Sequence, residues 1–417
     1  MLLYCSMFVL IVPCLFLFQE SSKVEKLDGS EIIHLKNGLN ITVNGDTWDY
    51  IQPAMNYNHL WWDPYHIKQS RPLHIITVHY LGNFLIYFGF PTSVAHLIDD
   101  EIVFKNDYWS KRKIQILSSQ WHYFISYIVV NYIVLTISLF FLLKSIMHHQ
   151  VKKTPTYKYF LFLILPAIFV VFNYVVKSFY FNTHSQMFAI LSASVLVYTS
   201  TKYTHDFYNY EKIFILLCLI LGVLLLFYGS FIYVLPFLLV IEAFKSKIDK
   251  NFVKRWLLGS LLFVTPYIVY ITYLKVIQNV NYYNMEAQNS RQFVWVIDSI
   301  EKGDLVKSII TKWKIFLTSF DFINIIFIVP LFLFSVLRYN SELLFKKINI
   351  YVFMALYILL FSFLNGYYKP RMTFMYTLPL MVMIYGNILK KYKLNGRYLL
   401  FSLYLINSLY VVYMWAY

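Results

Sequence analysis

Long apolar runs separated by short polar clusters dominate this chain. Runs near residues 1–18, 123–143, 159–176, 185–200, 213–227, 229–244, 256–274, 320–337, 349–365, 372–388 and 398–416 each approach the roughly 20 residues a helix needs to cross a bilayer's hydrocarbon. The pattern predicts an all-α polytopic membrane protein of about eleven transmembrane helices. Residues 1–18 read as the first span rather than a signal peptide, because there is no basic start and no small-residue cleavage site, and Gln19-Glu20 follow directly.

Two connections are too long to be simple turns, residues 19–122 and 277–319. In the first, Glu31 to Val43 alternates apolar and polar positions around Asn37-Gly38, which predicts a small β-hairpin. Leu73 to Ala95 predicts helical segments broken at Gly89 and Pro91, too polar to span and suited to lying along the membrane interface. No internal repeat is visible. The whole chain, 1–417, reads as a single integral membrane domain.

Composition agrees, at 59% hydrophobic and 14% charged residues, where a soluble domain carries about 25% charged. The formal net charge of +15 does not point to nucleic acid, since Lys and Arg sit in short clusters between apolar runs, where they set topology. Lys144 with Lys152, Lys202 with Lys212, Lys245 to Arg255, Arg338 with Lys346, and Lys390 to Arg397 occupy alternate connections. By the positive-inside rule these are cytoplasmic, which puts the amino terminus inside, the carboxyl terminus outside and both long loops on the outer face. The three cysteines, Cys5, Cys14 and Cys218, lie within apolar runs and form neither a disulfide framework nor a zinc spacing. A bacterial inner membrane fits this composition.

The stretch from Asn44 to Ala54 and the later Ser70-Arg71-Pro72-Leu73-His74 carry the candidate chemistry. A carboxylate just after a glycine, at the mouth of a membrane cavity, is placed to act as a general base toward a hydroxyl. Asp46 is that carboxylate, with Asp49 three residues on and on the same face if the segment is helical. Spacing alone favours the plainer reading, in which Asp46 caps a helix starting at Thr47 and Asp49 sits in its first turn. Late in the chain, Tyr368, Lys369 and Arg371 stand on the outer side against the positive-inside trend. There they either hold a phosphate or snorkel to lipid head groups. Arg71 serves a phosphate, orients Asp46, or anchors the loop beside Trp61 and Trp62. His74 and Tyr228 are further pocket candidates, and Asp298, Glu301 and Asp304 read as a solvated helix face.

A short first span, then Gly45, Asp46, Tyr50 and Ala54 in a Gly-Asp-x-x-x-Tyr-x-x-x-Ala pattern, then Arg71-Pro72-Leu73 before a helical segment, resembles the GT-C superfamily of membrane glycosyltransferases. The superfamily includes protein mannosyltransferases and aminoarabinose transferases. The resemblance implies that the first outer loop bears an essential acidic residue, Asp46, and that the donor is a sugar on a polyprenyl phosphate. It also implies that Arg371, near Tyr368 and Pro370, lies by the donor phosphate. The expected partners are membrane lipids, the lipid-linked donor and a glycan or lipid acceptor. His184 stands where many relatives have an acidic residue, which leaves the metal unknown and a divalent cation open. Two alternatives remain. Arg71 and Gly82, with ten residues between them, resemble a spacing found in polysaccharide polymerases, and a lipid or sugar transporter would share the helical layout.

Overall fold

The computed structural model describes residues 1–16, 30–34, 40–44, 47–62, 68–94, 96, 119–148, 156–177, 179–180, 182–205, 207–245, 248–284, 288, 291–320, 324–325, 328–329, 350–366, 368–391, 405 and 408–412. These residues are predominantly helical. In chain order they form α1 (Leu2–Phe16), the strands β1 (Ser30–His34) and β2 (Asn40–Asn44), α2 (Thr47–Met55), α3 (His59–Trp62) and α4 (Pro72–Tyr87). Then come α5 (Trp121–Met147), α6 (Thr156–Val171), α7 (Tyr174–Lys177), α8 (Met187–His205) and α9 (Phe207–Leu225). A 3-10 turn (Gly229–Tyr233) leads into α10 (Val234–Lys245), and α11 (Lys250–Thr272) ends in a π turn (Tyr273–Ile277). Last are α12 (Val294–Glu301), α13 (Leu305–Thr318), α14 (Ile350–Asn365), α15 (Pro370–Phe374) and α16 (Thr377–Lys391).

Local chemistry explains the boundaries. The strands pair antiparallel from Ser30 opposite Asn44 to His34 opposite Asn40. Pro72 and Pro370 open α4 and α15, where the missing N–H costs nothing. The Asp249 carboxylate accepts from the Phe252 N–H at 2.7 Å and caps α11. Gly89, at φ +78°, takes the left-handed turn that ends the α4 segment.

Among the described residues, two helical stretches are long and apolar enough to cross a membrane, Trp121–Met147 and Lys250–Ile277. Five apolar helical stretches are shorter: Phe162–Val171, Ile213–Leu225, Gly229–Phe244, Ile350–Asn365 and Met372–Gly386. Of the eleven runs expected, those near 320–337 and 398–416 lie largely outside the described residues, and two others are interrupted for physical reasons. The run near 159–176 breaks at Asn173, whose side chain accepts from the Val175 N–H and donates to Asn324 and the Tyr410 hydroxyl. The run near 372–388 is interrupted at Met375–Tyr376 between α15 and α16.

Helix α5 is the hub, packing on α1, α4, α8 and α16. Helices α9 and α11 pair closely. A Cβ added to Gly222 of α9 would meet the Phe263 carbonyl oxygen at 2.3 Å, and one on Gly259 of α11 would meet Phe214 at 2.7 Å. Small residues on both helices permit this approach. At the far end of the pair, the buried Glu242 carboxylate accepts from the Trp256 indole N–H at 2.9 Å and forms an ion pair with Arg255.

Candidate functional site

The site is built where the start of α4 meets the turn after α9. The Leu73 N–H donates to the Leu226 carbonyl at 3.2 Å, so Arg71 is carried over the Tyr228 ring, its guanidinium carbon 5.0 Å from the ring centroid. Arg71, buried at 3% exposure, also donates through Nη1 to the Tyr50 hydroxyl. The Tyr228 hydroxyl donates to the Gln186 side-chain oxygen at 2.5 Å.

Tyr50 is the centre of the cluster. The Tyr127 hydroxyl donates to its backbone carbonyl at 2.7 Å, and its own hydroxyl lies 3.4 Å from that of Ser185. The buried Lys68 ammonium sits 4.4 Å from the Tyr50 ring centroid. The rings of His74, Tyr127 and His184 meet Tyr50 edge-on at 5.9, 5.6 and 5.5 Å. His74 is fully buried against Tyr127 and Phe188, and neither of its ring nitrogens has a hydrogen-bond partner among the described residues. Burial, and then the charges of Arg71 and Lys68, push its pKa down to about 3. The imidazole is therefore neutral at any physiological pH.

A cavity of about 380 Å³ opens beside Arg71. Five distant parts of the chain line it: Ser70 and Arg71; Tyr228 to Ser230; Phe263, Val264 and Tyr267 of α11; Tyr282, Asn284 and Gln292; and Phe361, Asn365 and Met372. Its polar groups are hydroxyls, amides and one guanidinium. Gln69 holds the outer loops together behind it, donating to the Leu60 carbonyl at 2.8 Å and accepting from the Tyr283 N–H at 2.6 Å. The Tyr270 hydroxyl also donates to the Gln69 carbonyl at 2.9 Å.

The structure thus gathers Tyr50, Arg71, His74, His184 and Tyr228 into one cluster. Asp49 is half-buried in the first turn of α2. Asp46 lies outside the described residues. Tyr368 is apart from the cluster: its hydroxyl donates to the Phe363 carbonyl at 3.0 Å, and it packs on Phe316 and Phe363. Burial raises its pKa to about 12. Lys369 precedes α15, and Arg371 is described only by its place in that helix. Both stand on the stretch whose ends, Asn365 and Met372, line the cavity. Among the described residues, no three His, Cys, Asp or Glu side chains are grouped to hold a metal ion.

Lys68, Ser185 and Gln186 belong to the cluster without having been singled out from sequence. Lys68 had a signal, since it stands three residues before Arg71 and so within one turn of it. Ser185 and Gln186 had none beyond their nearness to His184. Comparison with protein-family models, with curated proteins and with solved structures returned no match.

Proposed function

We propose that the chain is a polytopic membrane glycosyltransferase of the GT-C type, moving a sugar from a polyprenyl-phosphate donor to a glycan or lipid acceptor on the outer face. The observation that carries this reading is the cavity beside Arg71. Its walls combine loop residues that the charge pattern assigns to the outer side, such as Ser70, Arg71, Asn284 and Gln292, with residues of the apolar helices, such as Phe263 and Phe361, and a buried guanidinium stands at its edge. A cation taken out of water costs several kcal/mol on the order of magnitude seen for buried ions, unless it is used or compensated. A planar guanidinium suits two phosphate oxygens at once.

In this reading the phosphate of the donor rests against Arg71, with Lys68 adding positive potential behind Tyr50, and Lys369 and Arg371, between Asn365 and Met372 in the chain, add further positive charge. Hydroxyls and amides at Ser230, Asn284, Gln292 and Asn365 meet the sugar. Asp46 takes the proton of the acceptor hydroxyl as its oxygen bonds to the anomeric carbon. The bond from that carbon to the lipid phosphate breaks, and the phosphate leaves with the electron pair. A leaving group already charged and held by cations needs no proton. Asp49 holds or orients Asp46. A divalent cation remains open, and no step depends on it. The inner membrane of a bacterium, with the amino terminus inside, is the location that fits the charge pattern.

The test is mass spectrometry of cell-surface glycans from a deletion strain complemented with wild type, Asp46→Asn or Arg71→Gln, at matched levels of membrane-inserted protein. The reading expects the deletion to lose one sugar that only wild type restores. Full restoration by both variants overturns the site. Glycans cut to single repeat units identify a polymerase instead.

A further inference from the structure

Helices α12 and α13 form a hairpin that is polar where the two helices face each other and apolar outside, the reverse of a hairpin built for water. An open cleft of about 330 Å³ between them is lined by Trp295, Asp298, Ser299 and Lys302 on one side and Lys307, Ser308, Thr311 and Lys312 on the other, with Asp304 at the turn. The outer surface of α13 carries Val306, Ile309, Ile310, Trp313 and Leu317, each between 40 and 71% exposed. That spacing is a single helical stripe. On α12, Val294, Ile297 and Ile300 are also exposed, with the exposed Glu301 beside Ile297 at the end of the helix. A different face of α13 does the packing, with Phe316 buried on Phe363 and Tyr368. The polar side of α13 that borders the cleft at Lys307 and Thr311 continues through Lys314 and Thr318, and all four are exposed.

A helix with one face on its own protein, one apolar and bare, and one studded with lysine fits the boundary between acyl chains and head groups. The charge fits the same place. Five cations, Arg291, Lys302, Lys307, Lys312 and Lys314, stand against three carboxylates, Asp298, Glu301 and Asp304. Asp298 is already held by Arg291 through bonds of 2.8 and 2.5 Å, so the lysines outnumber the carboxylates left for them. The solvated face expected at Asp298, Glu301 and Asp304 accounts for these acids and not for the apolar residues exposed beside them.

We propose that the α12–α13 hairpin is seated in the outer leaflet, its exposed apolar residues among the acyl chains and its lysines on anionic phospholipid head groups. The proposal rests on the reading of the chain as membrane-spanning. It deepens that reading, because Gln292 and Phe293, which line the cavity, immediately precede α12. The hairpin sets the cavity wall at the depth where a lipid carries its phosphate.

The experiment uses the full chain with Cys5, Cys14 and Cys218 replaced by Ala, reconstituted in phosphatidylcholine vesicles with and without phosphatidylglycerol. Single nitroxide labels go at Ile310→Cys, Thr311→Cys and, as a control on the bare face of α11, Leu261→Cys. Collision with oxygen reports hydrocarbon, and collision with a water-soluble nickel chelate reports water. With phosphatidylglycerol present, oxygen dominates at 310 and 261 and nickel at 311. Removing the anionic lipid, or replacing Lys302, Lys307 and Lys314 with Gln, shifts 310 toward nickel. Nickel access at 310 with oxygen at 261 overturns the hairpin's placement and leaves the membrane reading intact. Nickel access at 261 overturns the membrane reading itself. A label at 310 reached by neither reagent shows a protein covering, such as a second copy of the chain, and overturns the lipid. No response to phosphatidylglycerol overturns the head-group contact.

Discussion

Replacing His74 with Phe should remove an acid-sensitive arm from the stability of the protein. The imidazole is fully buried between cations with both nitrogens unmet, and its pKa in the fold is held down to about 3 against an ordinary 6.5. The fold therefore favours the neutral ring. Below about pH 6.5 the unfolded chain takes a proton that the folded chain refuses, so stability is fully present above that pH and is lost as pH falls toward 3. Between pH 8 and pH 5 the loss from this one group is about 2 kcal/mol, each pH unit below the unfolded pKa removing about 1.4. For a chain of 417 residues this corresponds to a fall in Tm of about 2 °C. His74→Phe conserves most of the volume and takes away two stranded polar atoms, so it should lie within about 1.5 kcal/mol of wild type at pH 8. The assay is thermal unfolding of both proteins in one detergent across that pH range. The variant's Tm should fall about 2 °C less than that of wild type. Parallel curves would refute the reasoning, because His74 would then be free to take a proton in the fold or already bonded to a group that accepts one.

Gly222→Ala should destabilise more than Gly259→Ala. The first drives a methyl into a backbone carbonyl at 2.3 Å, while the second meets the side chains of Phe214 and Cys218. Overpacking costs about 1–3 kcal/mol, and the gain in helix propensity of about 1 kcal/mol offsets the milder case; unfolding midpoints decide the order. Glu242→Gln should cost about 3 kcal/mol, because it leaves Arg255 without its countercharge in a largely buried site. The Glu242→Gln, Arg255→Gln double variant should recover part of that loss, and a double variant no better than the single would show that the pair is not coupled. Arg71→Lys should lower glycan transfer much more than it lowers Tm. Lysine keeps the charge but loses the planar fork and its hold on the Tyr50 hydroxyl, and equal transfer by the lysine variant would remove Arg71 from the proposed donor site.

Helices were legible wherever apolar periodicity and end signals coincided. Pro72 and Gly89 bracket α4 in the sequence as they do in the structure, and the Asn37-Gly38 pair marks a hairpin whose strands pair from Ser30 to Asn44. Interruptions were harder to see, because Asn173 breaks its run only through partners at Asn324 and Tyr410, far away in the chain. The site was half legible. Arg71 and Tyr50 stood out as chemistry-bearing types in a telling pattern, but Lys68 looked like any loop lysine until burial and the ring of Tyr50 gave it a place. The α12–α13 hairpin misleads in the opposite way. Its acids mark the polar side, and only the packing of Phe316 on Phe363 and Tyr368 shows which apolar face of α13 is left bare.

The bonds made by Gln69 have a mechanical consequence. One residue ties the first outer loop at Leu60 to the second at Tyr283, and its carbonyl receives the hydroxyl at the end of α11. Parting the segments around Leu60, Gln69 and Tyr283 breaks these three bonds together. On the proposed reading, a lipid-linked donor reaches the cavity along the bilayer plane without parting those contacts, as an amphiphile does and a free sugar in water does not.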